Sequence, residues 1–251
     1  MTEEKAYIVS VVRDEIMYRR CIGDNPCCGG LEKVAIDNLT ENRGIPQRYN
    51  SFIDSLPEED AWVIFCHEDW MPLEPLLPRL EGLDRTCLWG PVGALMECCP
   101  HADFIHITGC IQQCRKDGSR LRWNRGTWKG EETDTFDCQC VIVHSRLLRE
   151  KGLRFDETLS FDLYAEDFCA AAWLKGVPSR ILSLQCRHYS GGTLTARFWQ
   201  GLAYLREKYA HTEKRFPTPV YRRNSFGGDQ QKPIYNYRRS PTARLRYLIK
   251  K

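Results

Sequence analysis

Apolar and polar positions alternate along this chain in two rhythms. Residues 61–66, Ala-Trp-Val-Ile-Phe-Cys, form an unbroken apolar run that stops abruptly at His67, Glu68 and Asp69. A run of that length, rich in β-branched and aromatic side chains, predicts a strand buried on both faces. Residues 6–12 repeat the pattern and end at Arg13 and Asp14. Residues 34–36 predict a brief second strand closed by Asp37-Asn38. Pro46 predicts the start of a helix over 46–56, with Tyr49, Phe52, Ile53 and Leu56 on one face. Asn50 is a poor helix former inside it and predicts a tertiary contact. A helix over 74–83 and a strand over 86–88 follow. Lys116-Asp117-Gly118-Ser119, between apolar stretches 105–113 and 120–123, predicts a hairpin. Residues 135–144 read as a strand and 145–151 as a short helix closed by Gly152. Glu166-Asp167 head a helix over 168–175 closed by Gly176, and 180–184 form a strand shortly before His188. Leu194, Phe198, Leu202, Leu205 and Tyr209 recur at helical spacing and predict an amphipathic helix. From Pro217 the chain is basic, aromatic and without a strong period, which predicts an arm. Strands interleaved with helices predict an α/β fold.

Composition adds limits. The 251 residues suffice for a sizeable core. No apolar run approaches the roughly 18 residues of a membrane span. The acidic opening Met-Thr-Glu-Glu-Lys runs straight into a strand, which predicts no signal peptide. The 13 cysteines are odd in number and lack Cys-x-x-Cys pairs. They read as reduced thiols in a cytoplasmic protein. Net charge is +3, unevenly placed: residues 191–251 hold 14 Lys and Arg against 3 Asp and Glu, leaving 22 against 30 in the rest. The split predicts an acidic body, residues 1–192, and a basic extension, 193–251, that meets an anionic ligand or a membrane surface. The interleaved Tyr and Arg of the tail resemble single-strand contacts. The body carries no nucleic-acid-binding module, so no nucleic acid is expected.

In open α/β sheets, ligands sit beyond the carboxyl ends of the strands. His67, Glu68 and Asp69 stand at such an end, and carboxylates there suit Mg²⁺ or Mn²⁺. The plainer reading of such an acidic pair is a solvated loop. Asp37 suits a ribose or base contact, although a turn Asp is commoner. Glu166 and Asp167 complement the helix dipole in the plainer view. A single histidine such as His188 is usually structural, but this one stands beside Gly191-Gly192.

The ordered set of these motifs resembles the GT-A-fold nucleotide-sugar glycosyltransferases of inverting family 2. The set comprises Asp37-Asn38, Asn42-x-Gly44, Asn50, Phe65-Cys66-His67-Glu68-Asp69, Phe155-Asp156-Glu157, Glu166-Asp167 and His188. It looks closest to the streptomycin-biosynthesis-type branch, and it covers residues 6–192. The resemblance implies a mixed, mostly parallel central sheet flanked by helices. It implies Mn²⁺ or Mg²⁺ as cofactor and a UDP- or GDP-sugar as donor. It also implies a hydroxyl acceptor on a glycan or lipid-linked carrier. Asp69 falls on the family's metal-binding acid, with His67 where the motif's first acid stands and His188 at a position that reaches the metal or diphosphate. Val12, Arg13, Asp37, Asn50 and Glu68 fall on the donor side and Asp137 on the acceptor side. Glu166 and Asp167 match the catalytic pair, with Asp167 as general base facing Asp69 across the cavity.

Two other readings stay open. A sugar nucleotidyltransferase uses a similar sheet, but the Gly-rich, basic phosphate loop expected after Val12 is missing. A non-catalytic nucleotide-sugar-binding protein on a degenerate transferase fold also accommodates His67 in the first acidic position.

Overall fold

The computed structural model describes residues 4–125, 131–190, 195–220 and 224–236. Strand β1 (Lys5–Val12) leads into a short helix α1 (Glu15–Tyr18), then β2 (Glu32–Asp37), helix α2 (Ile45–Asp54) and β3 (Ala61–Cys66). β4 (Trp70–Pro72), α3 (Leu77–Leu80), β5 (Leu88–Gly90), β6 (Val92–Cys98) and the long β7 (Asp103–Cys114) follow. Next come β8 (Arg120–Arg125), β9 (Glu132–Thr133), β10 (Thr135–Phe136), β11 (Cys140–His144) and α4 (Ser145–Glu150). Helix α5 (Tyr164–Leu174), β12 (Ser179–Ile181), β13 (Cys186–His188) and α6 (Ala196–Lys208) complete the body. Three short strands end the described chain: β14 (Phe216–Pro217), β15 (Ser225–Phe226) and β16 (Ile234–Asn236).

The main sheet has the order β2-β1-β3-β11-β5-β12-β9. It is parallel across β2, β1 and β3 and turns antiparallel at β11. Alternation along its central strands feeds two cores. Val9, Val63 and Phe65 pack under α2, α5 and α6, while Ile8, Trp62 and Ile64 face the second sheet. That second sheet, β10-β6-β7-β13-β4, is built around β7. The first half of β7 pairs with β6 and β16, the second half with β8 and β13.

Several expectations shift. The helix expected over 74–83 contracts to the single turn of α3, because Pro75 and Pro78 supply no N–H to an α ladder. The strands expected at 86–88 and 180–184 lie at Leu88–Gly90 and Ser179–Ile181. Asn50 does make a tertiary contact. Its amide donates to Phe155 O and Glu157 Oε1, and its carbonyl accepts from Phe155 N.

The arm expected from Pro217 is folded against the body as far as residue 236. Arg215 Nη1 lies 3.0 Å from Asp103 Oδ2, with both side chains buried, and Lys232 Nζ lies 2.8 Å from Asp103 Oδ1. Aromatic packing of Tyr209, Phe216 and Phe226 closes this corner. Leu194 and residues 237–251 lie outside the described residues. Replacing Arg215 by Met strands a buried carboxylate that keeps only Lys232. The expected cost is about 3 kcal/mol, read from the urea midpoint at unchanged slope.

Candidate active site

The carboxyl ends of β1 and β3 open onto a cavity of about 370 Å³. Its wall includes Arg13, Arg43, His67, Glu68, Asp69, Asp137, Cys138, Phe161, Glu166, His188 and Arg197. That volume is within the usual range for small-molecule sites.

Each side chain is delivered by a ladder. The β3–β11 ladder runs one residue past the strand, because His67 N donates to Gln139 O at 3.0 Å. Asp69 is set by a different pairing. β4 and β13 run antiparallel with His188 opposite Trp70, and Tyr189 N donates to Asp69 O at 3.0 Å. That register puts His188 Nε2 3.2 Å from Asp69 Oδ1, and His67 Nδ1 lies 3.9 Å from the same oxygen. The ligand atoms of His67, Asp69 and His188 all lie within 4.8 Å of one another.

Hydrogen bonding fixes the His67 tautomer. The Tyr164 hydroxyl donates to Cys138 O at 2.5 Å, so its lone pair must accept from His67 Nε2, 2.9 Å away. Nδ1 is then left as a lone pair on the Asp69 side. Burial pushes the His67 pKa down and keeps the ring neutral, as a metal ligand must be. Among the described residues neither buried ring nitrogen of His188 has a hydrogen-bond partner, although Nε2 stands 3.2 Å from Asp69 Oδ1. Burial alone would raise the Asp69 pKa, but the charge of His188 outweighs it and holds the carboxyl below its usual range. Burial works against a charged His188, yet Asp69 wins and raises its pKa. A cation would take the place of that proton. Two imidazoles and one carboxylate fit a divalent ion of the Mn²⁺ type better than Mg²⁺, which prefers oxygen ligands.

The pair expected to be catalytic divides. Helix α5 points its first turn at the cavity, entered through Leu163 at φ +66°, a left-handed conformation rare for a branched side chain. Glu166 lines the cavity. Asp167, about 100° further round the helix, does not. Its carboxylate lies 2.7 Å from Lys208 Nζ and accepts from the Tyr209 hydroxyl at 2.8 Å, both contributed by α6 and its end. The expectation that Asp167 faces Asp69 across the cavity is therefore corrected: Glu166, and not Asp167, is on the cavity wall. Burial, then the charge of Asp137, pushes the Glu166 pKa up to about 8.

The donor-side expectations also separate. Arg13 lines the cavity. Glu68 does too, but its Oε2 is occupied by the backbone N–H groups of Arg13 and Asp14 at 2.6 and 2.8 Å. It ties the β3 end to the β1 end. Val12 packs in the core. Asp37 accepts from Leu39 N outside the cavity, a turn contact. Asn50 is spent on Phe155 and Glu157, as described. Asp137 lines the cavity beside Cys138.

Sequence reasoning missed Tyr164, Phe161, Arg43 and Arg197. Phe161 stacks on His67 at 5.6 Å, and the Arg197 guanidinium covers its ring at 4.6 Å. Asp162 holds Arg197 at 2.7 Å. Only Asn42-x-Gly44 hinted at this region. A Cβ on Gly44 would meet Ser160 Cα at 3.2 Å, so glycine lets the loop before α5 close on the start of α2.

By sequence, the chain matches no family profile and no curated protein. By structure it is similar to GalNAc-T7 with UDP, GalNAc and Mn²⁺, at 13% identity and TM-score 0.53, covering 80% of this chain and 48% of that one. It is also similar to the S. aureus TarS 1–349 fragment, at 13% identity and TM-score 0.52, covering 84% and 66%. The same fragment in complex with UDP gives 12% identity and TM-score 0.51. The chain thus spans about half the length of the first and about two thirds of the second. The architecture is the GT-A glycosyltransferase fold.

Replacing Tyr164 by Phe frees the His67 tautomer. Mn²⁺ affinity, measured by calorimetry, is expected to fall about 10-fold or more, and His188→Ala is expected to abolish it. Unchanged affinity in both would remove the histidines from the ligand set.

Proposed function

We propose that this protein is a metal-dependent, inverting glycosyltransferase that moves a sugar from a nucleotide-sugar donor to an acceptor hydroxyl. The observation that carries the reading is one cavity, at the strand ends of a GT-A fold, holding a His67-Asp69-His188 cluster and a buried, basic Glu166. The UDP and Mn²⁺ in the similar structures support UDP-sugars as first donors to test, ahead of GDP-sugars. Kinship with the streptomycin-biosynthesis-type enzymes is the narrower part of the proposal.

In this reading His67, Asp69 and His188 would hold a divalent cation, which when bound would supply Lewis-acid stabilisation to the departing diphosphate. Arg13, Arg43 and Arg197 add positive charge to the cavity wall. Glu166 takes the acceptor hydroxyl proton as that oxygen bonds to the anomeric carbon, and the nucleoside diphosphate leaves from the opposite face. Asp137 stands beside Glu166 on the acceptor side. Asp167 holds α6 to α5 and has no part in the chemistry. The acceptor is a hydroxyl of a glycan or lipid-linked carrier. Among the described residues no helix is long and apolar enough to cross a membrane. The basic C-terminal residues would draw the protein to anionic lipid at the cytoplasmic face of a membrane.

Glu166→Gln is expected to lower turnover of a UDP-sugar about 100-fold or more, with UDP binding in Mn²⁺ retained. Asp167→Asn is expected to keep turnover and to lower stability by about 1–3 kcal/mol. The opposite pattern would return the base to Asp167. A base works only when deprotonated, so kcat should climb with pH and level off above about 8. A profile flat from pH 6 to 9 would refute Glu166 as base.

A further inference from the structure

Cys138 belongs to no motif and has no part in the mechanism above, yet it touches both halves of the site. Its Sγ lies 3.2 Å from Glu166 Oε2, with the thiol as donor. Its carbonyl accepts the Tyr164 hydroxyl, whose oxygen in turn accepts from His67 Nε2. The side chain is only partly buried and forms part of the cavity wall.

We propose that Cys138 is the positioning residue for Glu166: its thiol fixes the carboxylate rotamer, while its carbonyl, through Tyr164, fixes His67, so that one backbone position aligns the proton acceptor with the cation-holding side chains. The role given to Glu166 rests on the glycosyltransferase reading; the contacts do not. The other titratable groups that bear on Glu166 are Asp137 and Asp162, both carboxylates that repel it. Among the described residues the thiol is therefore the one side-chain donor to this carboxylate. A thiol is a weak donor. It orients the acid without stabilising its anion as strongly as a hydroxyl or an ammonium would, and so preserves basicity.

The test compares wild type, Cys138→Ala and Cys138→Ser in the full chain, with Glu166→Gln as the blank. The Glu166 carboxyl is titrated by ¹³C NMR of Glu-labelled protein, and hydrolysis of UDP-glucose and UDP-GalNAc is followed against pH in Mn²⁺. Removing the donor in Cys138→Ala should raise the carboxyl midpoint by about half to one pH unit. The limb of the kcat profile should rise with it, and KM and Mn²⁺ affinity should stay within about twofold. Cys138→Ser restores a donor and should hold the midpoint at or below that of wild type. An unmoved midpoint in Cys138→Ala, or equal shifts in the Ala and Ser variants, would overturn the proposal. If wild type hydrolyses neither sugar but the Ala midpoint still rises, the thiol–carboxylate contact stands and the enzyme reading falls.

Discussion

Antiparallel pairing of β4 with β13 is the constraint on which the site depends. Asp69 and His188 are far apart in the chain, and only the register that sets His188 opposite Trp70 brings them to 3.2 Å. β13 is held in turn by parallel pairing with β7, the central strand of the second sheet. A slip of one residue would turn His188 to the other face and leave Asp69 with His67 alone. Short strands specify register weakly by themselves. Here Trp70 and Cys186, both buried, fix which face is inward.

The polar groups form a chain of dependence. Tyr164 spends its only proton on Cys138 O, and this leaves His67 one available nitrogen. The thiol of the same cysteine meets Glu166. Burial then decides the electrostatics: it keeps His67 neutral and raises Glu166, whereas Asp69, beside the charge of His188, stays ionised. Two carboxylates in one cavity are thus tuned in opposite directions by their neighbours, a division suited to one acid that holds a cation and one that accepts a proton.

The C-terminal part serves the same site indirectly. Lys208 bridges Asp156 and Asp167, and Tyr204 and Tyr209 bond the same two carboxylates. These contacts clamp the loop before α5, and with it Phe161 and Leu163, against α6. Arg197 at the start of α6 reaches the cavity from this anchored position. The excess of positive charge read from the sequence is therefore partly spent on internal pairs, with Asp103, Asp134, Asp156 and Asp167 as partners.

The sequence by itself determined the strands on which the sheet is built, because an apolar run such as residues 61–66 can be satisfied only by burial on both faces. It also marked the polar break at His67-Glu68-Asp69, and the helix of Phe198, Leu202 and Leu205, whose spacing gives one apolar face. It put Glu166 and Asp167 together at a helix start. Only the tertiary structure separated them, since neighbours on a helix point about 100° apart and Lys208 pairs with the second. The family resemblance put Asn50 and Glu68 on the donor side, although Asn50 inside a helix also predicted a tertiary contact. Backbone groups brought in from residues 155 and 13–14 occupy them instead. Tyr164, Cys138 and Arg197 carried no local signal, because their roles come from contacts between segments distant in the chain, and linear spacing does not encode which side chain will fill a shared cavity.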